Sequence, residues 1–215
     1  MSRHIKSLVN KINFRYTENF MKNETANNLL EKIAKNMDKS KDKIIKPKHE
    51  YFRTPNEQIA YGDLSIGYKY LGGIINSRNW YLKDDLNDIL INIRNILSDK
   101  TGQSFNSVLI SRYINGNDYI GEHSDVNLVE NSSIVGISLG ATREMILKRK
   151  YIREENENED TICISLNHGS MYEIDYTTNK YWKHSIKMDS GIVDHRICIT
   201  YRNINKSIID NNGKK

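Results

Sequence analysis

The chain has 215 residues, 38% of them hydrophobic and 27% charged, and it carries a formal net charge of +5 at pH 7. No apolar run approaches the ~18 residues of a membrane span, the amino terminus lacks the apolar stretch of a secretory signal, and two cysteines are too few for a disulfide framework. We therefore expect an intracellular monomer that associates with no membrane, and the modest basic excess only weakly indicates a nucleic-acid partner.

The amino-terminal half predicts two amphipathic helices separated by an exposed connection. Apolar residues recur at helical spacing over residues 23–37, and Asn23 is placed to cap that helix. A second apolar stripe covers residues 82–97, with two aspartates in its first turn and Gly102 after its end. The lysine-rich segment between them, residues 35–50, is typical of a solvated connection.

From Phe105 onward the chain changes to short β-like runs separated by glycine, asparagine and acidic turns. The runs are "FNSVLISRY", "SSIVGISLG", "EMILKRK", "TICISL", "GSMYEI" and "RICITYR". The acidic "REENENED" between two of them is interpreted as a solvated hairpin loop. Two helices followed by six or more strands predict a mainly β fold with flanking helices (α+β), in which the strands form a double-stranded β-helix, or jelly roll.

The stretch "YINGNDYIGEHSDVN", residues 113–127, places His123 and Asp125 two residues apart. On a strand such residues face the same side, so an imidazole and a carboxylate would share the inner face. A lone His-x-Asp is more often a hydrogen-bonded pair, but His184 follows in "YWKHS". Two histidines and a carboxylate form the ligand set of a non-haem Fe(II) site that leaves coordination positions open.

The last run, "RICITYR", places Arg196, Cys198, Thr200 and Arg202 on one face by strand alternation. Burying two guanidinium groups is costly unless an anion meets them, and the arginine fork binds carboxylates. Six residues of strand span about 20 Å, so the two arginines could reach opposite ends of a small diacid. The alternative is a pair of surface arginines on an edge strand.

These residues resemble the AlkB-like Fe(II)/2-oxoglutarate dioxygenases that repair alkylated nucleic acid, most closely the mammalian DNA-repair members. The resemblance covers residues 61–202 and is densest in "TGQSFNSVLISRYINGNDYIGEHSD", "SIVGISLGATREM", "HGSMYEI" and "WKHS". It implies a catalytic Fe(II) held by His123, Asp125 and His184, with 2-oxoglutarate and O2 as cosubstrates. The residues that it implies for binding 2-oxoglutarate are Tyr113, Arg196, Arg202, Ser111 and Thr200.

The resemblance also places a nucleotide-recognition lid in "YGDLSIGYKYLGG". There Tyr68 and Tyr70 would contact a flipped base, and Asn127 would face its edge, although hairpin packing alone would explain the two tyrosines. The predicted division of the chain is residues 1–104 for the helices and lid, residues 105–205 for the jelly-roll core and residues 206–215 for a flexible tail.

The chain departs from the family pattern at three of these positions. Ser111 stands where the family usually has an asparagine amide, and Cys198 replaces a common asparagine of the last strand. Both changes are expected to weaken the affinity for 2-oxoglutarate. Asn127 replaces a common acidic residue, so it offers no charge to a cationic methylated base.

The activity that the resemblance implies is oxidative demethylation of 1-methyladenine and 3-methylcytosine in DNA, which releases formaldehyde, succinate and CO2. Nothing in the sequence excludes RNA as the substrate. Duplex-acting members carry a basic triplet where this chain has Asp189, Ser190 and Gly191, so we expect single-stranded DNA to be preferred. The alternatives are a hydroxylase of a protein or small molecule on the same fold, and a catalytically silent nucleic-acid-binding jelly roll.

Overall fold

A computed structural model describes residues 12–39, 57–63, 67–70, 73–81, 86–150 and 161–205, with the backbone alone for 67–70 and 73–76. Its three helices are α1 (Asn23–Lys39), α2 (Asn87–Thr101) and α3 (Tyr176–Tyr181). Its strands are β1 (Phe14–Thr17), β2 (Glu57–Gly62), β3 (Gly67–Tyr70), β4 (Gly73–Asn76), β5 (Arg78–Asn79), β6 (Ser107–Tyr113), β7 (Ile120–His123), β8 (Ser133–Gly140), β9 (Arg143–Arg149), β10 (Thr161–Leu166), β11 (Ser170–Asp175), β12 (Trp182–Ile186) and β13 (Arg196–Arg202).

These strands form two sheets and a separate hairpin. The larger sheet has seven strands in the order β1-β11-β8-β13-β6-β2-β5, and the smaller has four in the order β10-β9-β12-β7. The hairpin joins β3 to β4, and the neighbours within both sheets are antiparallel except for β2 and β5. The predicted mainly β jelly roll with flanking helices is confirmed, and every strand-like run predicted after Phe105 lies on a strand.

The larger sheet is buried on both faces. One face packs against α1 and α2, where Ile197 and Tyr201 of β13 share a cluster with Ile33 and Leu90. The Tyr201 hydroxyl donates a hydrogen bond to the Leu90 carbonyl at 2.9 Å. The other face packs against apolar side chains of the smaller sheet. The predicted alternation of "RICITYR" is therefore confirmed, since its apolar residues face the helices and its polar residues face the space between the sheets.

The predicted helices are confirmed with different bounds. α1 continues to Lys39 because its buried face includes Asn36 and Met37, so the first residues of the expected connection are helical. α2 ends where Gly102 adopts a φ of 69° and its N–H donates to the Ser98 carbonyl at 2.8 Å. Residues 82–85, the rest of the lysine-rich connection, the acidic loop and the tail lie outside the described residues.

Three strands that precede residue 105 have no counterpart in the predicted pattern. β2 and β5 extend one edge of the larger sheet, and β1 forms the opposite edge. β2 is almost wholly buried, so its sequence "EQIAYG" lacks the alternation of a half-exposed strand. The larger sheet thus draws strands from both sides of the boundary at residue 104, and the division into domains stays a prediction.

No helix in the described ranges combines the length and the apolar character needed to cross a membrane.

Arg143 cross-links two loops at one end of the sheets. Its side chain is buried, and its guanidinium donates hydrogen bonds to the carbonyls of Asp118 and Lys187, both at 2.7 Å. The same two loops bond directly, because the Gly116 N–H donates to the Ile192 carbonyl at 2.7 Å. A buried guanidinium whose terminal nitrogens donate to backbone carbonyls of both loops ties the two loops into one unit.

Replacing Arg143 by Met should lower the free energy of unfolding by about 2 kcal/mol or more, because buried carbonyls lose a charged donor. Urea unfolding of the metal-free protein measures this. The matched control is Lys187→Met, which removes an exposed ion pair with Glu144 at 3.3 Å and should change the free energy by less than about 1 kcal/mol. Equal effects of the two substitutions would contradict the cross-linking role.

Candidate metal centre and cosubstrate pocket

Three potential metal ligands meet between the sheets. His184 on β12 is paired in register with His123 at the end of β7, and their ring centroids are 4.2 Å apart. Asp125 lies beyond the end of β7, so the prediction that it shares a strand with His123 is wrong. Its carboxylate nevertheless reaches the same place, with Oδ1 3.7 Å from His123 Nε2. The ligand atoms of all three residues lie within 4.8 Å of one another.

The backbone of Asp125 is held by a residue that the sequence pattern did not indicate. Asn179, buried on α3, accepts a hydrogen bond from the Asp125 N–H at 2.9 Å and donates one to the Asp125 carbonyl at 2.8 Å. Ser124 points away, and its hydroxyl donates to the Trp182 carbonyl at 2.8 Å. These contacts replace the strand pairing that Asp125 lacks. Asn179 lies in the polar run "YTTNKY", which carries no signal of a buried amide.

Burial keeps both imidazoles neutral at neutral pH. It lowers the pKa of His184 to about 3, with His123 as the next contributor. It also lowers the pKa of His123 below its ordinary value. His123 Nδ1 lies 2.9 Å from the Gly121 carbonyl, so a proton on Nδ1 leaves the lone pair of Nε2 facing Asp125. Neutral imidazoles are the form that binds a metal ion.

Asp125 supplies a negative charge to the cluster. Burial alone would raise the pKa of its carboxyl, but the Arg202 guanidinium and the neighbouring imidazoles outweigh burial and hold that pKa below its usual range. Arg202 Nε donates to Asp125 Oδ2 at 2.5 Å. One carboxylate and two neutral imidazoles suit a divalent transition metal such as Fe(II) and leave coordination positions for other ligands.

A pocket opens beside this cluster, and polar residues of the larger sheet line it. Gln58, Ser111 and Cys198 lie opposite one another on β2, β6 and β13. Gln58 is buried, and its Nε2 donates to Ser111 Oγ at 3.2 Å. The Gln58 amide thus reaches this part of the pocket from β2, the strand next to the one that carries Ser111. Thr200 also lines the pocket, with its hydroxyl 3.5 Å from the Cys198 sulfur.

Arg196 meets the requirements of an anion site at the far end of the pocket. Its side chain is 1% exposed, and its Nε donates to Ser138 Oγ at 2.9 Å. Both terminal nitrogens are buried, and neither has a hydrogen-bond partner among the described residues. The Tyr113 ring centroid lies 5.0 Å from the guanidinium carbon, and burial raises the pKa of that phenol to about 12. A neutral hydroxyl and a guanidinium fork together fit a carboxylate.

Arg202 lies at the metal end of the pocket. It is 5% exposed, and beside its bond to Asp125 its Nη1 donates to the Thr200 carbonyl at 3.4 Å. The alternative of two surface arginines on an edge strand is wrong, because β13 lies between β8 and β6 and both guanidinium groups are buried. The predicted binding of 2-oxoglutarate by Arg202 stays a prediction.

The residues predicted to contact a base are described only in part. Tyr68 and Tyr70 lie on β3, where they pair with Ile75 and Gly73 of β4, but their side chains are outside the described part of the chain. Asn127 follows the metal cluster with a φ of 62° in the left-handed region, which asparagine tolerates better than most residues. Asn127 is partly exposed.

Comparison with known proteins identifies a matching family and several relatives of the chain. A family model described as the 2OG-Fe(II) oxygenase superfamily matches residues 13–202. The DNA oxidative demethylase ALKBH2 of Homo sapiens is 32% identical over 159 residues, covering 72% of this chain and 59% of that protein. The alpha-ketoglutarate-dependent dioxygenase alkB homolog 3 of Homo sapiens is 27% identical over 158 residues, covering 71% and 53%. The chain thus spans little more than half the length of these relatives.

Among solved structures, OsALKBH1 matches with a TM-score of 0.58 at 12% identity, covering 90% of this chain and 97% of that one. Such a likeness concerns the fold alone. The family match and the curated relatives confirm the resemblance to AlkB-like dioxygenases seen in the sequence.

Replacing Asn179 by Ala should weaken metal binding about 10- to 100-fold, because the Asp125 backbone loses both bonds that orient it. Calorimetric titration with Mn(II) measures this, and excess Fe(II) should restore turnover because the three ligands remain. The control is Asn167→Ala, which removes a side-chain hydrogen bond of 2.8 Å to Glu18. This bond lies outside the metal cluster. Unchanged affinity in the Asn179 variant would contradict its positioning role.

Proposed function

The chain belongs to the 2OG-Fe(II) oxygenase superfamily, and from that premise we propose that it is an oxidative demethylase that repairs N-alkylated bases in DNA. Fe(II), 2-oxoglutarate and O2 are the cofactor and cosubstrates of this superfamily. The observation that carries the proposal is a complete His-Asp-His cluster beside a buried arginine whose terminal nitrogens have no partner among the described residues. The names of the human relatives point to DNA as the substrate.

His123, Asp125 and His184 would hold Fe(II), and Arg196 with Tyr113 would hold a carboxylate of 2-oxoglutarate. Bound Fe(II) supplies the activation of O2, which couples decarboxylation of 2-oxoglutarate to succinate and CO2 with oxidation of an N-methyl group that leaves as formaldehyde. Arg202 keeps the Asp125 carboxylate ionised through its short hydrogen bond. Burial of these groups excludes water, so their interactions with charged ligands are strong.

The proposed lesions are 1-methyladenine and 3-methylcytosine, whose methyl groups lie on the Watson–Crick edge. An enzyme can reach that edge only after the base leaves the stack, and a methylated pair is already weakened. The β3–β4 hairpin, which carries Tyr68 and Tyr70, would cover the flipped base, since an aromatic ring stacks on any base. Asn127 would accept a hydrogen bond from an exocyclic amino group.

Two alternative functions would require different sets of residues. A hydroxylase of a protein or small molecule would use the same metal cluster and Arg196, but it would need no stacking residues. A silent nucleic-acid-binding jelly roll would have no reason to keep three ligands within 4.8 Å of one another. The choice between DNA and RNA depends on substrate assays.

Formaldehyde and succinate release should be highest with methylated DNA and near background with a peptide control. His123→Ala should abolish both products, including succinate formed without a nucleic acid, because the metal loses a ligand. Glu122→Gln, at a half-exposed neighbouring position, is the matched control and should retain activity. Turnover that is faster with methylated RNA would shift the substrate to RNA, and turnover with the peptide alone would favour the hydroxylase.

The segment that should decide strand preference is an exposed turn. The Ile192 N–H donates to the Asp189 carbonyl at 3.0 Å, and the Gly191 N–H donates to Asp189 Oδ1 at 3.1 Å. Asp189, Ser190 and Gly191 are all exposed. A carboxylate at this position repels phosphate, and phosphate contacts supply much of the affinity for DNA that is independent of sequence.

We expect single-stranded methylated DNA to be demethylated faster than the matched duplex. The double substitution Asp189→Arg and Gly191→Lys should narrow the gap. Gly191 tolerates a side chain in this variant because its φ is not positive and because Asp189 Oδ1, which would lie 3.3 Å from an added Cβ, is removed. The duplex activity of this variant should fall more steeply with salt than that of the original chain. Equal or faster demethylation of the duplex by the original chain would contradict this assignment.

A further inference from the structure

Tyr172 lines the pocket from β11, which is separated from the strand of Ser111 by β8 and β13. It lies on β11 opposite Gly136 of β8, and Gly136 is in turn paired with Thr200 of β13. The Tyr172 ring lies over Gly136, where an added Cβ would be 2.1 Å from the ring carbon Cζ and 2.4 Å from the hydroxyl oxygen. Only glycine at position 136 therefore allows the ring to cross β8 and reach β13.

The ring is held in this position by its neighbours. Phe14 of β1 stacks on it with the two centroids 6.2 Å apart and the planes 9° from parallel. The Tyr172 hydroxyl then lies 3.5 Å from the Cys198 sulfur, and the side chain lines the same pocket as Arg196. A thiol is a weak hydrogen-bonding group, so a phenol in contact with Cys198 and Thr200 can still donate to a stronger acceptor.

Burial of Tyr172 favours a phenol that donates, and it outweighs the opposing effect of the Arg196 guanidinium on the pKa. Burial, followed by Cys198, raises the pKa of Tyr172 well above its ordinary value, so the hydroxyl keeps its proton at neutral pH. A carboxylate offers about four lone-pair sites, and the arginine fork fills two of them. A dianion bound at Arg196 therefore still has acceptor sites for the phenols that line the same pocket.

We propose that Tyr172 is a cosubstrate-binding residue whose hydroxyl donates a hydrogen bond to 2-oxoglutarate, and that it supplies the polar contact that Cys198 lacks. Gly136 makes this contact sterically possible, and Phe14 fixes the ring that makes it. The proposal rests on 2-oxoglutarate being the cosubstrate and is independent of DNA being the substrate. It also means that the cysteine in the last strand does not by itself weaken cosubstrate binding.

The test is calorimetric titration of 2-oxoglutarate into the Fe(II)-loaded protein, without O2 and without nucleic acid. Tyr172→Phe should raise the dissociation constant about tenfold, because a hydrogen bond to a charged group is lost. The matched control is Tyr16→Phe. Tyr16 lies directly opposite Tyr172 on β1, but its hydroxyl accepts a hydrogen bond from the Asn167 N–H at 3.1 Å, so this variant should bind 2-oxoglutarate as before.

A second variant separates hydrogen bonding from packing. Adding Cys198→Asn to Tyr172→Phe places an amide donor beside the lost hydroxyl and should recover most of the affinity. Equal dissociation constants for the original chain and Tyr172→Phe would overturn the proposal, and so would a parallel loss of Fe(II) affinity, which would indicate disturbed packing. A chain with intact Tyr172 that binds no 2-oxoglutarate would overturn both this proposal and the assigned cosubstrate.

Discussion

The pocket of this protein depends on keeping three charges, those of Asp125, Arg202 and Arg196, away from water between two sheets. The Asp125 carboxylate and the Arg202 guanidinium compensate each other through a hydrogen bond of 2.5 Å. Arg196 has no such partner for its terminal nitrogens among the described residues, and desolvating an uncompensated charge is costly. The pocket therefore attracts an anion at Arg196, while the carboxylate and two neutral imidazoles attract a cation a short distance away. A cation and an anion bound at these two positions would attract each other, so each would favour the binding of the other.

β13 carries the two arginines of the pocket on one face and packs against the helices with the other. All seven of its residues are buried, because the strand is central in the larger sheet and covered on both faces. One face supplies apolar contacts to the helices, and the other carries Arg196, Cys198, Thr200 and Arg202. The apolar face fixes the strand rigidly. The two arginines are consequently held at a constant separation that loops could not maintain.

Much of this arrangement can be predicted from the sequence, because strand alternation and ligand chemistry are local signals. They identify His123, Asp125 and His184, the two arginines and the succession of strands after Phe105. The contributions from distant segments cannot be predicted in this way. β2 is buried on both faces and shows no alternation, so Gln58 could not be placed opposite Ser111.

The contacts of Asn179 and Tyr172 depend equally on tertiary structure. A polar hexapeptide gives no indication that it forms a short helix whose amide reaches the Asp125 backbone. Likewise, nothing local shows that a glycine on β8 makes room for a tyrosine from β11. Even the position of Asp125 differs from the strand pattern, because β7 ends at His123. Local periodicity indicates which side a residue faces, whereas these contacts depend on which strands become neighbours.

The edge position of β7 makes the local stability of this strand depend on metal binding. Among the described strands, β7 pairs with β12 alone, and the pairing shifts register between His184 and Ile186. A metal ion bound by His123, Asp125 and His184 would join β7, the segment after it and β12 at one point. Metal occupancy and the local stability of this edge are then thermodynamically linked, since a ligand that binds only the ordered form stabilises that form. A bound metal ion would thereby stabilise an edge strand of the smaller sheet, and the amides of β7 would exchange more slowly with solvent as the site fills.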